Sequence, residues 1–209
     1  MPAIGITGGV ASGKSTLTRL LAELLPAPSF DADASARRLL ADDDAVRREV
    51  RAAFGPGVFT ASGEISRPAL RGRIFAGSAE RRRLEAILHP RVRSIWQGWV
   101  QEQLQNSPRA VLLVEIPLLY ETQAAAFFDR TIVVGCGPDV QMRRLVGERR
   151  LPEEIAGRII ASQWALTEKI RRCDHLIWND GAFDSLRAQA ELCARLLSTS
   201  TDRPSHATQ

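Results

Sequence analysis

Apolar residues change their spacing several times along the chain, and each change marks a structural element. Ala3-Ile4-Gly5-Ile6-Thr7 is a short apolar run that predicts a buried strand. Leu17, Leu20, Leu21, Leu24 and Leu25 then recur at helical spacing, so a helix should open near Gly13. Pro26 to Phe30 is a brief extended stretch ending in Asp31-Ala32-Asp33. From Ala34 to Pro108 the pattern is mostly helical. Asp42 to Asp44 opens one helix, Val46, Val50 and Phe54 line its apolar side, and Gly55-Pro56-Gly57 stops it. A short extended piece turns at Ser62-Gly63, and helices are predicted over Arg67 to Phe75 and Ala79 to Leu88. His89-Pro90 should interrupt the second of these, because proline disfavours helical backbone at the residue before it. Another helix then carries Val92, Ile95, Trp96, Trp99 and Leu104 as far as Asn106-Ser107-Pro108.

Strands return after this helical stretch. Ala110-Val111-Leu112-Leu113-Val114-Glu115-Ile116 is nearly all apolar, as a central strand covered on both faces of a parallel sheet must be. Pro117-Leu118-Leu119-Tyr120-Glu121 reads as the loop at its carboxyl end. Thr131 to Gly135 gives the next strand, and Gly137-Pro138-Asp139 starts a helix. Gln141 to Gln163 is helical and rich in arginine (Arg143, Arg144, Arg149, Arg150, Arg158), with a break at Leu151-Pro152. His175 to Asn179 supplies a final strand, and Leu186 to Leu197 a closing amphipathic helix. The pattern predicts an α/β fold: a core of residues 1–33 and 109–197, a helical insert over 34–108, a lid at about 138–165, and a disordered polar tail over 198–209. No internal repeat is present.

Candidate chemistry centres on Gly8-Gly9-Val10-Ala11-Ser12-Gly13-Lys14-Ser15, which fits G-x-x-x-x-G-K-[ST] and stands between the first strand and the first helix. In such a loop small residues let successive N–H groups curl into one anion-binding concavity. Gly9, Ala11, Ser12, Gly13, Lys14, Ser15 and Thr16 would form that bowl. Lys14 would reach the β and γ phosphates, Ser15 would ligate Mg²⁺, and the helix start would add its partial positive charge. An ordinary glycine turn before a helix is the plainer alternative. Asp31 and Asp33 follow a strand end, where open parallel sheets carry their chemistry, although either could instead cap the next helix. Glu115 ends the central strand, where an acid can sit near Mg²⁺ and its water. The arginines of the lid segment can fold over a triphosphate, or simply form a solvated face, as Arg81-Arg82-Arg83 is expected to do.

Composition narrows the function further. The 209 residues carry a net charge of +4, from 28 basic and 24 acidic side chains, which suits polyphosphates better than a continuous nucleic-acid track. Aromatic residues at 6% weaken any single-strand stacking role, so no nucleic-acid partner is expected. No apolar run approaches the ~20 residues of a membrane span, and the first strand leaves no room for a signal peptide, so a cytoplasmic protein is expected. Cys136, Cys173 and Cys193 have no paired spacing and read as reduced packing residues.

The combination of motifs resembles one family, the dephospho-coenzyme A kinases, over about residues 3 to 197. The resemblance is carried by Thr7-Gly8-Gly9, Asp31-Ala32-Asp33 with Arg37, Ile74-Phe75, His89-Pro90 and Pro117-Leu118-Leu119-Tyr120-Glu121. Gln141 with Arg144, Arg158 with Gln163, and Asp174 with Asn179 and Gly181 extend it. It implies a P-loop NTPase fold with a five-stranded parallel sheet of nucleoside monophosphate kinase type, a helical acceptor-binding insert and a helical lid. It implies ATP as donor, Mg²⁺, and dephospho-coenzyme A as the small-molecule acceptor, in a monomer or weak homo-oligomer without a membrane partner. Asp33, Lys14 and Arg144 would be catalytic, Asn179 would join the nucleotide contacts, and Arg37, His89, Leu118 and Glu121 would contact the acceptor. His89 could equally be no more than a helix-breaking cap.

Two positions depart from the family pattern. Ala11 stands where glycine is usual and should be tolerated if its φ is negative. Glu148 falls where an arginine is common, leaving Arg144 as the better lid arginine. Another nucleoside monophosphate-type kinase is the nearest competing reading. A GTP switch lacks both N-K-x-D and D-x-x-G here, and a silent nucleotide-binding module would not need Lys14, Ser15 and Asp33 together.

Overall fold

The run Ala3–Gly8 forms a strand, β1, buried along its whole length, and the other strands assemble around it. The computed structural model describes residues 3–75, 77–107 and 110–200, and the chain divides into two units, Met1–Phe30 with Val100–Gln209 and Asp31–Trp99. Ser29–Asp31 (β2), Leu112–Glu115 (β3), Arg130–Gly135 (β4) and His175–Trp178 (β5) complete a five-stranded parallel sheet in the order β2-β3-β1-β4-β5. β1 lies parallel to β3, with Ile6 beside Glu115, and to β4, with Gly8 beside Val134. This register brings the carboxyl ends of β1 and β4 nearly level, with β3 ending two residues short of β1.

Helix α1 (Lys14–Leu24) and the C-terminal helix Phe183–Ser200 cover the sheet. Leu17, Leu20 and Leu21 from the first, and Leu186, Ala190, Cys193 and Leu197 from the last, pack with Ile4, Ile6, Leu113, Ile132 and Val134 in one apolar cluster. Each large side chain buried this way contributes about 1.5–3 kcal/mol. The closing helix outlasts the expected Leu197 limit. Ser198, expected in a disordered tail from its polarity, is instead helical, and its hydroxyl is satisfied within the helix by donating to the Ala194 carbonyl at 2.9 Å. Residues 201–209 of that expected tail, with His206, lie outside the described residues. The three cysteines are free thiols. Among the described residues no helix is long and apolar enough to cross a membrane.

The second unit is helical. α2 (Ala32–Asp42) is capped by Asp31, whose Oδ1 accepts from the Ala34 amide at 2.9 Å, and α3 (Asp44–Phe54) by Asp43 in the same way. Gly55, at φ +75°, ends α3 as its sequence predicts. Phe59 and Ile65 form an antiparallel bridge across the expected Ser62-Gly63 turn. α4 (Arg67–Phe75) and α5 (Ser78–Asn106) follow, and Val46, Val50, Phe54, Val58, Leu70, Leu84, Ile87 and Leu88 form the core of this unit. The side chain of Phe75 and the whole of Pro108 are outside the described residues.

The expected break at His89-Pro90 does not occur. α5 runs unbroken through both residues. A proline inside a helix costs about 3 kcal/mol through its lost donor and its clash with the preceding turn. Here Leu84, Ile87 and Leu88 before it, and Val92 and Trp96 after it, are all buried, and keeping that stripe continuous outweighs the penalty. Next to the proline, Arg91 donates from Nη1 to the Ile87 carbonyl at 2.7 Å and pairs through Nη2 with Glu49 at 2.5 Å, tying α5 to α3.

Candidate active site

Three backbone angles shape the loop after β1. Gly8 has φ +150°, and a Cβ there would lie 2.0 Å from the Val134 carbonyl oxygen. Gly13, at φ +96°, starts α1, and a Cβ there would meet the Asn179 amide at 2.2 Å. Ala11 between them has φ +55°, so the condition under which alanine would sit here without strain, a negative φ, is not met. Curling successive amides into one concavity needs left-handed residues in this stretch, whatever their side chain. The strain costs about 1–2 kcal/mol for an L-residue. The Ala11 methyl recovers part of it by packing with buried Leu145 and Ala156.

Helix α1 begins without a side-chain cap, and its first backbone bond runs from Leu17 N to Gly13 O at 3.0 Å. The amides ahead of that bond, including those of Ser15 and Thr16, stand at the positive end of the helix. Buried Lys14 donates from Nζ to the Gly9 carbonyl of the same loop at 2.9 Å. The Ser12 hydroxyl is buried with no hydrogen-bond partner. An orphaned donor, a lysine and an uncapped helix start together fit a polyphosphate.

The exposed Ser15 hydroxyl donates to Glu115 Oε1 at 2.8 Å, and Thr18 Oγ1 donates to Glu115 Oε2 at 3.2 Å. Glu115 is buried at the end of β3, and the two hydroxyls supply the hydrogen bonds that a buried carboxylate needs. Because Ser15 gives its proton to Glu115, its lone pairs are left for a cation. Hard oxygen donors of this kind fit Mg²⁺.

Residues from the far end of the unit brace the loop. Asn179 Nδ2 donates to the Ser12 carbonyl at 2.8 Å. Gln141, on α6 (Pro138–Arg143), donates to the Val10 carbonyl at 2.8 Å, while Gln163 Oε1 accepts from the Val10 amide at 2.9 Å. Arg144 opens a π-helical turn, Arg144–Glu148, before α7 (Glu153–Ala161). Its guanidinium donates to the Ala11 carbonyl at 3.1 Å and the Asn179 carbonyl at 2.9 Å. In this state, then, Arg144 buttresses the loop from behind. Glu148, Arg149 and Arg150 are exposed beyond it.

The loop after β3 is held just as firmly. The Pro117 carbonyl accepts from the Thr7 hydroxyl at 3.0 Å and from Lys169 Nζ at 3.1 Å. Lys169, on the short helix α8 (Leu166–Ile170), is completely buried and pairs with Glu121 Oε1 at 2.8 Å. The same Glu121 oxygen accepts from the Trp164 amide at 3.0 Å. Leu118 is half-buried, and its carbonyl accepts from the Thr122 amide and hydroxyl. Sequence patterns miss the parts played by Lys169 and by Gln163 as a loop brace. Gln163 enters only through the family resemblance, paired with Arg158 in the lid segment, and Lys169 lies past that segment in a stretch to which no pattern gives a role.

Asp33, Arg37 and His89 belong to the second unit. Asp31 is occupied as a helix cap and pairs with Arg37 at 3.5 Å, whereas Asp33 is exposed in the first turn of α2. His89 is half-buried in α5, and burial pushes its pKa below the usual histidine value, with Glu85 opposing the shift and Arg93 adding to it. Gly9, Ala11, Ser12, Gly13, Lys14, Ser15 and Thr16 are thus gathered in the first unit with Arg144, Asn179 and Glu115.

A lysine and a hydroxyl at the head of a helix, with an acid at the next strand end, on this strand order, define a P-loop kinase fold. A solved Thermus thermophilus structure matches 93% of the chain and 97% of its own, with a TM-score of 0.72 and 30% identity. A shikimate kinase from Acinetobacter baumannii shares the fold over 97% of this chain and 96% of its own, at a TM-score of 0.52 and 15% identity. Residues 2–185 match the family described as dephospho-CoA kinase. A dephospho-CoA kinase of Geobacillus kaustophilus is 39% identical over 89% of this chain and 92% of its own length. The chain belongs to the dephospho-CoA kinase family. It is a transferase of P-loop type, with a nucleotide as phosphoryl donor and a small molecule as acceptor.

Proposed function

We propose that the chain transfers the γ-phosphoryl group of ATP to the ribose 3′-hydroxyl of dephospho-coenzyme A, the last step of coenzyme A synthesis. The observation that carries this reading is the Lys14, Ser15 and Glu115 arrangement at the head of α1, in a chain of this family. Lys14 leaves the Gly9 carbonyl to hold the β and γ phosphates, and the amides of residues 9 to 16 surround them. Ser15, whose hydroxyl donates to Glu115, would hold Mg²⁺, which when bound would neutralise phosphate charge.

Asp33 accepts the proton of the acceptor hydroxyl and aims its oxygen at phosphorus. Phosphoryl transfer has a loose transition state, so alignment does most of the work. Arg144 and Asn179 fix the loop on the nucleotide side. Arg144 can also turn to the transferring phosphoryl group if its two carbonyl bonds are exchanged for phosphate oxygens. The second unit, with Arg37 and His89, binds the acceptor; Leu118, in the loop after β3, adds a contact, and Glu121, whose carboxylate is engaged by Lys169 and the Trp164 amide, serves the acceptor by holding that loop rather than by direct contact. We place the enzyme in the cytoplasm as a monomer or weak homo-oligomer.

The test is acceptor-dependent ADP release measured with dephospho-coenzyme A and with a panel of nucleoside monophosphates. Turnover with dephospho-coenzyme A and not with the panel is expected. The reverse selectivity would replace this reading with a nucleoside monophosphate kinase.

A further inference from the structure

Lys169 is a charged side chain with no exposed surface, and it lies outside the phosphate-binding machinery. Removing an ammonium from water costs several kcal/mol, and apolar residues of similar volume often stabilise a core as well or better. Stability alone therefore gives weak reason for a lysine here. Its partners give a better one.

Nζ bridges Glu121 Oε1 at 2.8 Å and the Pro117 carbonyl at 3.1 Å, the two ends of the loop that leaves β3. Each acceptor is shared with another element. The Pro117 carbonyl also takes the hydroxyl of Thr7 from β1, and Glu121 Oε1 also takes the Trp164 amide. Gln163, next in the chain to Trp164, accepts from the Val10 amide of the phosphate-binding loop. One ammonium thus sits at the junction of the loop after β3, the strand leading into the phosphate loop, and the segment bracing that loop. The other Glu121 oxygen, Oε2, is buried without a partner, so Lys169 supplies the only side-chain charge paired with this carboxylate among the described residues.

Ligands of open parallel sheets bind outside the carboxyl ends of the strands, and the loop held by Lys169 leaves β3 two residues past Glu115. We propose that Lys169 is a positioning residue, setting the Pro117 to Glu121 loop for the sugar-hydroxyl acceptor while leaving nucleotide binding alone. This rests on the kinase reading above. Lys169 touches no reactant and acts through the loop.

The test uses Lys169→Met and the double variant Glu121→Gln/Lys169→Met. The double removes the orphaned carboxylate charge, so it should fold if the single does not. Two measurements are made on folded protein. In steady-state kinetics, both variants should raise the KM for dephospho-coenzyme A about tenfold or more, with the KM for ATP within about twofold of the parent. In amide hydrogen exchange, residues 117 to 122 should exchange faster in both variants while α1 is unchanged.

A double variant with the parent's acceptor KM, parallel shifts in both KM values, or unchanged loop exchange would each overturn the proposal. If the parent enzyme does not turn over dephospho-coenzyme A, the substrate reading fails, and hydrogen exchange alone then decides whether Lys169 holds the loop.

Discussion

Ala11 adopts a backbone angle that its own methyl disfavours, yet the methyl is buried against Leu145 and Ala156. The two effects nearly cancel, so Ala11→Gly should change unfolding free energy by no more than about 1 kcal/mol. Ala11→Val should lose more than about 1 kcal/mol, since a β-branched residue is poorly tolerated at positive φ. Urea titration of both variants checks this. At Asp33, conversion to Asn should lower kcat by about 10² to 10⁴ with little change in ATP affinity, and equal losses in both would indicate a structural or metal role. Cys193 is a third case. Burial pushes its thiol up to about 11, from 9.0, so the folded state keeps a proton that the unfolded state releases. Its contribution to stability is complete below pH 9 and is lost as pH rises towards 11, and Cys193→Val should flatten that slope in urea titrations across this range. Local chemistry of this kind was partly legible in the sequence. Gly8, Lys14 and Ser15 announce their roles through spacing because the loop is built from consecutive residues. The angle at Ala11 was not legible, since it follows from how the loop must curl. The Val10 bonds to Gln141 and Gln163 join residues more than a hundred positions apart, and no local pattern contains them.

At the level of elements, periodicity served well wherever one face of a segment is buried. The ends of α3, from its Asp43 cap to Gly55, follow the rules for starting and stopping a helix. Those rules failed at Pro90, where a continuous buried stripe overrides a local breaker. Pro90→Ala should therefore raise unfolding free energy by about 1–3 kcal/mol, read from urea titration, by restoring one backbone donor and relieving the ring clash. No gain would mean that the surrounding turn has already relaxed fully around the ring. α8 escaped prediction because five residues are too few to show a helical period. The π-helical turn at Arg144 was hidden for another reason. A π-helical turn has no compositional mark, and the bond from Arg144 to the Ala11 carbonyl joins residues far apart in the chain.

For the molecule as a whole, alternation of strand and helix, interrupted once by a long helical stretch, was enough to indicate an α/β sheet carrying an insertion. Strand order was not legible from hydrophobicity, since each buried strand looks much like another. That order bears on biosynthesis. β1 leaves the ribosome first, but its two neighbours are β3 and β4, and the amide that steadies the phosphate loop belongs to Asn179. Nascent chains stalled before Asn179 should thus be blind to nucleotide, and the binding loop should come into being only once β5 and the residue after it have emerged.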